Sequence, residues 1–322
     1  AGAEIVVDVT ALGTLGDGVA MLDGQPIRVE QALPGERWRA RLAGRRRGGW
    51  DALPLERLAG GGRAVPACRH FGRCGGCRLQ HAPPPVYAAF KRQRIEAALA
   101  HRGLAGVEVA EALVSPPGSR RRLRLAWGRS GRRVVLGLRE RRSHAVVDLA
   151  ECPVARPELT ALLPALRELI AGLGAAAREG EVSLTWTDSG PDLLLELARP
   201  PTLAERQLLA GFAGGSDLAR LALAQGGEIE TLVAPRRPVA SLAGTAVPLP
   251  PGAFLQATAE GEAALCAAVT SLLRPRDRVL DLYAGIGTMA FAALAAGARA
   301  VHAVEIAPAS CAALSASRVP AL

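Results

Sequence analysis

The sequence predicts a multidomain chain: an N-terminal OB-like β-barrel, an α+β middle domain, and the start of a C-terminal Rossmann-like α/β domain. Three observations predict it. Short apolar runs cut by Gly-Asp, Asp-Gly and Pro-Gly turns crowd the first 58 residues; clustered cysteines and the excess positive charge occupy the middle; and a buried-strand pattern runs into a glycine turn and an alanine-rich helix after residue 277. At 322 residues the chain has room for two or three domains. The expected boundaries are 1–58 for the barrel, 67–253 for the middle domain and 254–322 for a partial α/β domain.

The barrel rests on Ile5-Val6-Val7, Gly18-Val19-Ala20-Met21-Leu22, Pro26-Ile27-Arg28-Val29 and Arg37-Trp38-Arg39-Ala40-Arg41-Leu42, short runs at close spacing. Such a module suits nucleic acid. Arg45, Arg46 and Arg47 supply phosphate contacts at its edge and Trp50 a stacking surface. The barrel itself is charge-neutral, with 8 Arg against 8 acids over residues 1–57, so a basic loop that only solubilises competes with this reading. Gly60-Gly61-Gly62 reads as a linker.

The net charge of +9 is concentrated in residues 58–156, which carry 19 Lys and Arg against 6 acids, while residues 157–322 carry 12 against 16. The densest runs hold Arg120, Arg121, Arg122 and Arg124, then Arg129, Arg132 and Arg133, then Arg139, Arg141 and Arg142. All but Lys91 are arginines, whose planar forks suit phosphate. RNA is the favoured partner; a solvated arginine-rich face is the plainer alternative.

Within this basic block lies Cys68-x5-Cys74-x2-Cys77, joined downstream by Cys152-Pro153. Three clustered ligands and a fourth before proline read as a four-thiolate cage for an iron–sulfur cluster, with zinc as the alternative, since zinc sites usually draw on two short Cys pairs. Cys266 and Cys311 sit in apolar helical surroundings and read as inert buried thiols. Around the cysteines, Pro83-Pro84-Pro85 breaks the chain, residues 87–99 pattern as a helix and residues 123–149 as strands. Residues 159–173 then pattern as a helix, with strands near 182–187 and 193–197.

In the last segment, Arg278-Val279-Leu280-Asp281-Leu282 patterns as a buried strand, Tyr283-Ala284-Gly285-Ile286-Gly287 as a glycine turn, residues 288–296 as a helix and residues 300–304 as a second strand that delivers Glu305. Glycines let a ligand approach the backbone, and an acid after the second strand is placed to take ribose hydroxyls. Gly285-x-Gly287-x-x-Ala290 also fits a dinucleotide fingerprint, so nicotinamide or flavin stays open. Asp281, before the turn, favours S-adenosylmethionine, whose amino-acid end it is placed to reach.

Taken together these residues resemble the RNA 5-methyluridine methyltransferases, in particular the 23S rRNA (uracil-5-)-methyltransferases that pair an N-terminal TRAM barrel with a 4Fe-4S cluster. The likeness is carried by Cys68-x5-Cys74-x2-Cys77-Arg78-Leu79-Gln80-His81, by Leu136-Gly137-Leu138-Arg139-Glu140-Arg141-Arg142-Ser143-His144 leading to Cys152-Pro153, by Phe254-Leu255-Gln256, and by Asp281-Leu282-Tyr283-Ala284-Gly285-Ile286-Gly287. The resemblance implies that Cys68, Cys74, Cys77 and Cys152 bind the cluster. It also implies that Gln256, Tyr283, Gly285 and Glu305 line the S-adenosylmethionine site. The family's chemistry adds a cysteine thiolate to uracil C6, methylates C5 and removes the C5 proton with a carboxylate, on a flipped-out base.

The sequence departs from that family after residue 318, where the family's Asp-Pro-Pro motif, nucleophilic cysteine and general-base glutamate are not found, and neither Cys266 nor Cys311 stands at the nucleophile's position. The expectation is therefore a uracil-5 methyltransferase represented without its catalytic residues and inactive by itself. The alternatives are a non-catalytic RNA-binding iron–sulfur protein and, third, a dinucleotide-dependent redox enzyme. No stretch approaches the roughly 20 apolar residues of a membrane span and the opening residues lack a signal-peptide layout, so a cytoplasmic monomer without a membrane partner is expected.

Overall fold

The computed structural model describes residues 2–46, 48–131, 133–174 and 178–317, in two compact units, Ala1–Ala112 and Leu113–Leu322. Among the described residues no helix is long and apolar enough to cross a membrane.

In the first unit, β1 (Glu4–Leu12), β2 (Gly18–Leu22), β3 (Gln25–Val29), β4 (Arg37–Arg46) and β5 (Gly49–Ala59) close a barrel in the order β1-β2-β3-β5-β4. Alternation along the strands sends Val7, Val9, Ala20, Ile27, Val29, Ala40 and Ala52 into one core while their neighbours face out. The closure is a parallel pairing of β3 with β5. β5 escapes a pattern reading because Pro54 interrupts it; the β4–β5 ladder shifts register beside that proline, which pairs opposite Ala40.

Beyond the barrel the exposed Gly60-Gly61-Gly62 stretch leads into a segment tied back to the barrel. The Arg63 guanidinium reaches Glu36 through Nε at 2.5 Å and donates to the Gln31 carbonyl at 2.9 Å. His81 Nε2 donates to that same carbonyl at 2.8 Å, and the Gln31 side-chain amide reaches the Gly72 carbonyl at 3.4 Å. Leu79 and Ala82 then pack with Leu33 of the barrel and with Phe90 of α1 (Pro84–His101), so cysteine loop, helix and barrel share a small second core. From Arg92 onward α1 buries no side chain.

The second unit is built on a seven-stranded sheet of β6 (Arg122–Ser130), β7 (Arg133–Arg139), β8 (Val146–Asp148), β9 (Gly180–Thr187), β10 (Gly190–Leu197), β11 (Arg220–Gln225) and β12 (Glu228–Val233), in the order β12-β11-β10-β9-β6-β7-β8. Neighbours run antiparallel except β10 and β11, whose parallel pairing is made possible by the crossover helix α4 (Leu203–Gly215). That helix opens on a capping box in which Thr202 and Glu205 satisfy each other's backbone N–H. The helix expected over 159–173 is two helices, α2 (Pro157–Ala161) and α3 (Leu163–Gly172), because Pro164 has no N–H to continue the ladder and restarts it. Leu166, Ile170 and Leu173 are fully buried, each worth about 1.5–3 kcal/mol against exposure.

After the sheet come a hairpin of β13 (Val239–Leu242) and β14 (Thr245–Pro248), then α5 (Ala259–Thr270), β15 (Arg278–Leu282), α6 (Thr288–Ala295), β16 (Ala300–Val304) and α7 (Pro308–Ala316). β15 and β16 pair in parallel with α6 as their crossover, a βαβ unit. One core joins the hairpin's Leu242 and Val247 to Leu255, Ile286, Phe291 and Leu314, so the hairpin is the floor on which the glycine turn rests.

Candidate functional site

The glycine turn between β15 and α6 has the local geometry its sequence demands. Tyr283, Gly285 and Gly287 all take positive φ, at 60°, 57° and 94°. At Gly287, the N-cap of α6, a Cβ would stand 2.6 Å from both Leu314 and Phe291, so the position admits glycine alone. Gly285 has open space around it and needs glycine for its backbone only. Tyr283 projects at 90% exposure.

Glu305, delivered by β16, folds its carboxylate over this turn. Oε2 accepts the Gly285 N–H at 2.8 Å, and Oε1 accepts the N–H groups of Ile306 and Ala307, each at 2.8 Å. These three backbone donors hold its pKa below the usual carboxylate value. Oε2 retains acceptor capacity for a hydroxyl. Asp281 lies on the face of β15 turned toward α6. Burial pushes its pKa up, opposed by the backbone N–H of Ala290, and its Oδ2 is buried with no hydrogen-bond partner. An orphaned acceptor beside a left-handed glycine turn is the kind of site a ligand ammonium satisfies. On this observation the residues fit the amino-acid end of S-adenosylmethionine as well as its ribose.

Gln256 lies in a segment fastened by its main chain: its carbonyl accepts from Arg121 Nε at 3.0 Å, and the neighbouring Leu255 carbonyl accepts from Arg122 at 2.8 Å. Phe254, 63% exposed, lies under the Arg122 guanidinium at 4.9 Å. Two of the arginines expected on a phosphate surface are thus engaged inside the unit. Arg121 also pairs with Glu262 at 2.6 Å, and burial followed by the charges of Arg120 and Arg121 pushes the Arg122 pKa down.

The other expected phosphate contacts divide. Arg45 sits over the Trp50 ring at 5.9 Å, while Arg46 pairs with Asp51 at 2.6 Å. Arg120 is exposed and donates to the Arg122 carbonyl at 3.0 Å. Arg124 bridges Glu181 and Glu196, and Arg133 pairs with Asp148 at 2.5 Å, both guanidiniums remaining open to solvent. Arg47 and Arg132 lie outside the described residues. Arg124 also lines an open groove of about 720 Å³ on the sheet, with Arg129, Arg139, His144, Glu181 and Glu196. The acids in that groove had no signal in the sequence, since Glu181 meets Arg124 across 57 positions.

None of the six cysteines is joined in a disulfide. Cys68, Cys74 and Cys77 belong to the first unit, on a loop of tight turns in which Cys74 is buried and its Sγ accepts the Gly76 N–H at 3.4 Å. Cys152 belongs to the second unit, where its carbonyl caps the Ala155 N–H at 3.0 Å. The donor chemistry suits a thiolate-bound metal group, although among the described residues no three His, Cys, Asp or Glu side chains are gathered as a metal site. Cys266 reaches the Thr288 carbonyl at 3.8 Å and burial pushes its pKa up, while Cys311 reaches the Glu305 carbonyl at 3.3 Å.

Comparison with known proteins decides the family. No protein-family model matches the chain. An uncharacterised RNA methyltransferase of Brucella suis is 39% identical over 308 residues, 96% of this chain and 72% of that protein. The chain belongs to the RNA methyltransferases. A more distant relative of this methyltransferase, the 23S rRNA (uracil(1939)-C(5))-methyltransferase of Pectobacterium carotovorum, is 33% identical over 88% of this chain and 64% of its own length. In fold it matches the crystal structure of the Pyrococcus abyssi tRNA (uracil-54, C5)-methyltransferase in complex with S-adenosyl-L-homocysteine, with a TM-score of 0.71 at 18% identity over 97% of this chain and 76% of that one. The closed five-stranded barrel agrees with the OB-like module read from the sequence.

Proposed function

We propose that this RNA methyltransferase serves S-adenosylmethionine-dependent methylation of uracil C5 in 23S rRNA. The observation that carries the reading is the Glu305 carboxylate, fixed by three backbone N–H groups over a left-handed glycine turn, in a chain 33% identical to a 23S rRNA uracil-C5 methyltransferase. S-adenosylmethionine, when bound, supplies an electrophilic methyl group. Glu305 Oε2 accepts from ribose hydroxyls, Asp281 Oδ2 accepts from the ammonium, Gly285 admits the ligand against the backbone, Gly287 turns the chain beneath it into α6, and Tyr283 and Gln256 flank it. Arg45 with Trp50, and the solvent-facing Arg120, Arg124 and Arg133, contact RNA.

Cys68, Cys74, Cys77 and Cys152 are proposed as ligands of a 4Fe-4S cluster that shapes the RNA-binding surface. Neither Cys266 nor Cys311 is offered as the thiolate that adds to uracil C6, because each is turned to a carbonyl of its own unit. Methyl transfer by these 322 residues alone is therefore not expected.

Titrating the whole chain with S-adenosylhomocysteine and, separately, with NADPH tests the cofactor assignment; saturable binding of the first and none of the second is expected, and the reverse overturns it. RNA binding without binding of S-adenosylhomocysteine favours the non-catalytic reading. Competition between 23S rRNA and tRNA transcripts tests the substrate, with rRNA expected to win. Anaerobic reconstitution followed by iron and sulfide analysis tests the cluster, and stoichiometric zinc in its place overturns it.

A further inference from the structure

Arg121 stands where the sequence shows an undifferentiated basic run, and its surroundings separate it from its neighbours. Its guanidinium fork takes two acceptors in two directions: Nε donates to the Gln256 carbonyl at 3.0 Å and a terminal nitrogen to Glu262 Oε2 at 2.6 Å. Both side chains are largely withdrawn from solvent, at 13% and 11% exposure. The Arg121 main chain takes part as well, its N–H donating to the Ala257 carbonyl at 2.8 Å and its carbonyl accepting from Trp186 N–H of β9 at 2.8 Å.

Two further ties hold the same segment. Arg122 donates to the Leu255 carbonyl at 2.8 Å, and the hydroxyls of Ser115 and Thr258 share a hydrogen bond of 2.7 Å. Leu255, 1% exposed, is seated in the core that contains Ile286 of the glycine turn and Phe291 of α6. The chain on which Gln256 sits is thus clamped between the end of β6 and the underside of the cofactor turn. A phosphate contact by Arg121 would require opening this pair, which leaves Glu262 as an uncompensated buried charge. Lysine cannot replace the fork, because one ammonium does not span the two acceptors in this geometry.

We propose that Arg121, with Glu262 as its counter-charge, is a positioning residue for the cofactor site: it fixes the main chain from which Gln256 reaches S-adenosylmethionine and ties that chain to the central sheet. The proposal rests on the cofactor reading above and adds to it a residue that touches neither cofactor nor RNA.

The test measures S-adenosylhomocysteine affinity by calorimetry, RNA affinity by filter binding and stability by denaturant unfolding, on the whole chain and its variants. Arg121→Lys is expected to weaken S-adenosylhomocysteine binding about tenfold, the scale of one lost charge-assisted hydrogen bond, and to leave RNA affinity within about twofold. Glu262→Gln keeps an acceptor for the fork and is expected to cost affinity by a smaller factor, about threefold; it serves if the first variant does not fold. Arg167→Lys is the control. Arg167 bridges the Asp148 carboxylate and the Leu149 carbonyl in the same manner at edge strand β8, so its loss lowers stability and leaves cofactor affinity unchanged. Either folded variant binding S-adenosylhomocysteine as the unaltered chain does overturns the proposal, as does a loss of RNA affinity alone, which returns Arg121 to the phosphate surface. Failure of the unaltered chain to bind S-adenosylhomocysteine removes the cofactor reading and this proposal with it.

Discussion

Glu36 in the barrel and Glu305 beside the glycine turn are both glutamates that collect donors at the end of a connection, and they do so to opposite ends. Glu36, 3% exposed, takes the Leu33 N–H, the Trp38 indole N–H, two bonds from Arg63 and one from Arg57. Two guanidiniums and two neutral donors fill both oxygens, so the carboxylate has become a rivet. Glu305 takes backbone N–H groups only, leaving one oxygen short of donors on the exposed side of the turn. A carboxylate saturated from all sides holds a fold, and one held from a single side is available to a ligand.

The sharpest way to break this contrast is Glu36→Ala, which strands the Arg63 guanidinium and is expected to cost about 3–5 kcal/mol in denaturant unfolding of the first unit. Its pH dependence follows from the same contacts. Burial raises the Glu36 pKa, but the Arg63, Leu33 and Trp38 hydrogen bonds outweigh it and hold the group at about 2 against an ordinary 4.5. A carboxylate lowered on folding contributes fully above the unfolded value and loses that contribution as pH falls through the folded one. Stability is therefore expected to decline between pH 4.5 and 2, and Glu36→Gln is expected to flatten that decline; an unchanged acid limb argues against the rivet.

Next in size is Gly287→Ala, which combines a positive φ with two contacts at 2.6 Å and is expected to destabilise the βαβ unit by about 1–3 kcal/mol. Gly285→Ala, with the same hand of φ but open space, is expected to cost less, about 1 kcal/mol; equal losses would show that backbone strain and not crowding governs the turn. Glu305→Gln sets an amide NH2 against backbone N–H donors on one side, and is expected to lower the unfolding midpoint slightly while weakening S-adenosylhomocysteine binding about tenfold. Smallest is Arg133→Ala, whose solvent-facing pair with Asp148 is expected to change stability by no more than about 0.5 kcal/mol.

How far these roles could be read in the sequence depended on the distance between partners. The strand, turn and helix from Arg278 to Ala295 are local, so their periodicity and glycines sufficed, and Glu305 followed from the second strand. The hairpin at 239–248 has too few residues for a pattern, and the Thr202-x-x-Glu205 signature marks the start of α4 without its length. Arg121 was the hardest position. Its partner Glu262 lies 141 residues away, and a run of arginines shows nothing of which one a distant acid will draw inward.

The strand order of the seven-stranded sheet also bears on how the chain is made. β6 is the first of its strands to be synthesised, yet its place is between β7 and β9, and β9 begins about 50 residues after β6 ends. At roughly 5–20 residues per second of translation, the β6–β7–β8 meander spends on the order of 3–10 s with the inner edge of β6 unpaired. That edge includes Leu123, Leu125 and Trp127, all buried in the finished sheet. A ribosome pause or a rare codon between residues 131 and 179 would lengthen the interval in which nascent chains can pair edge to edge, so expression yield is expected to respond to codon choice in this connection.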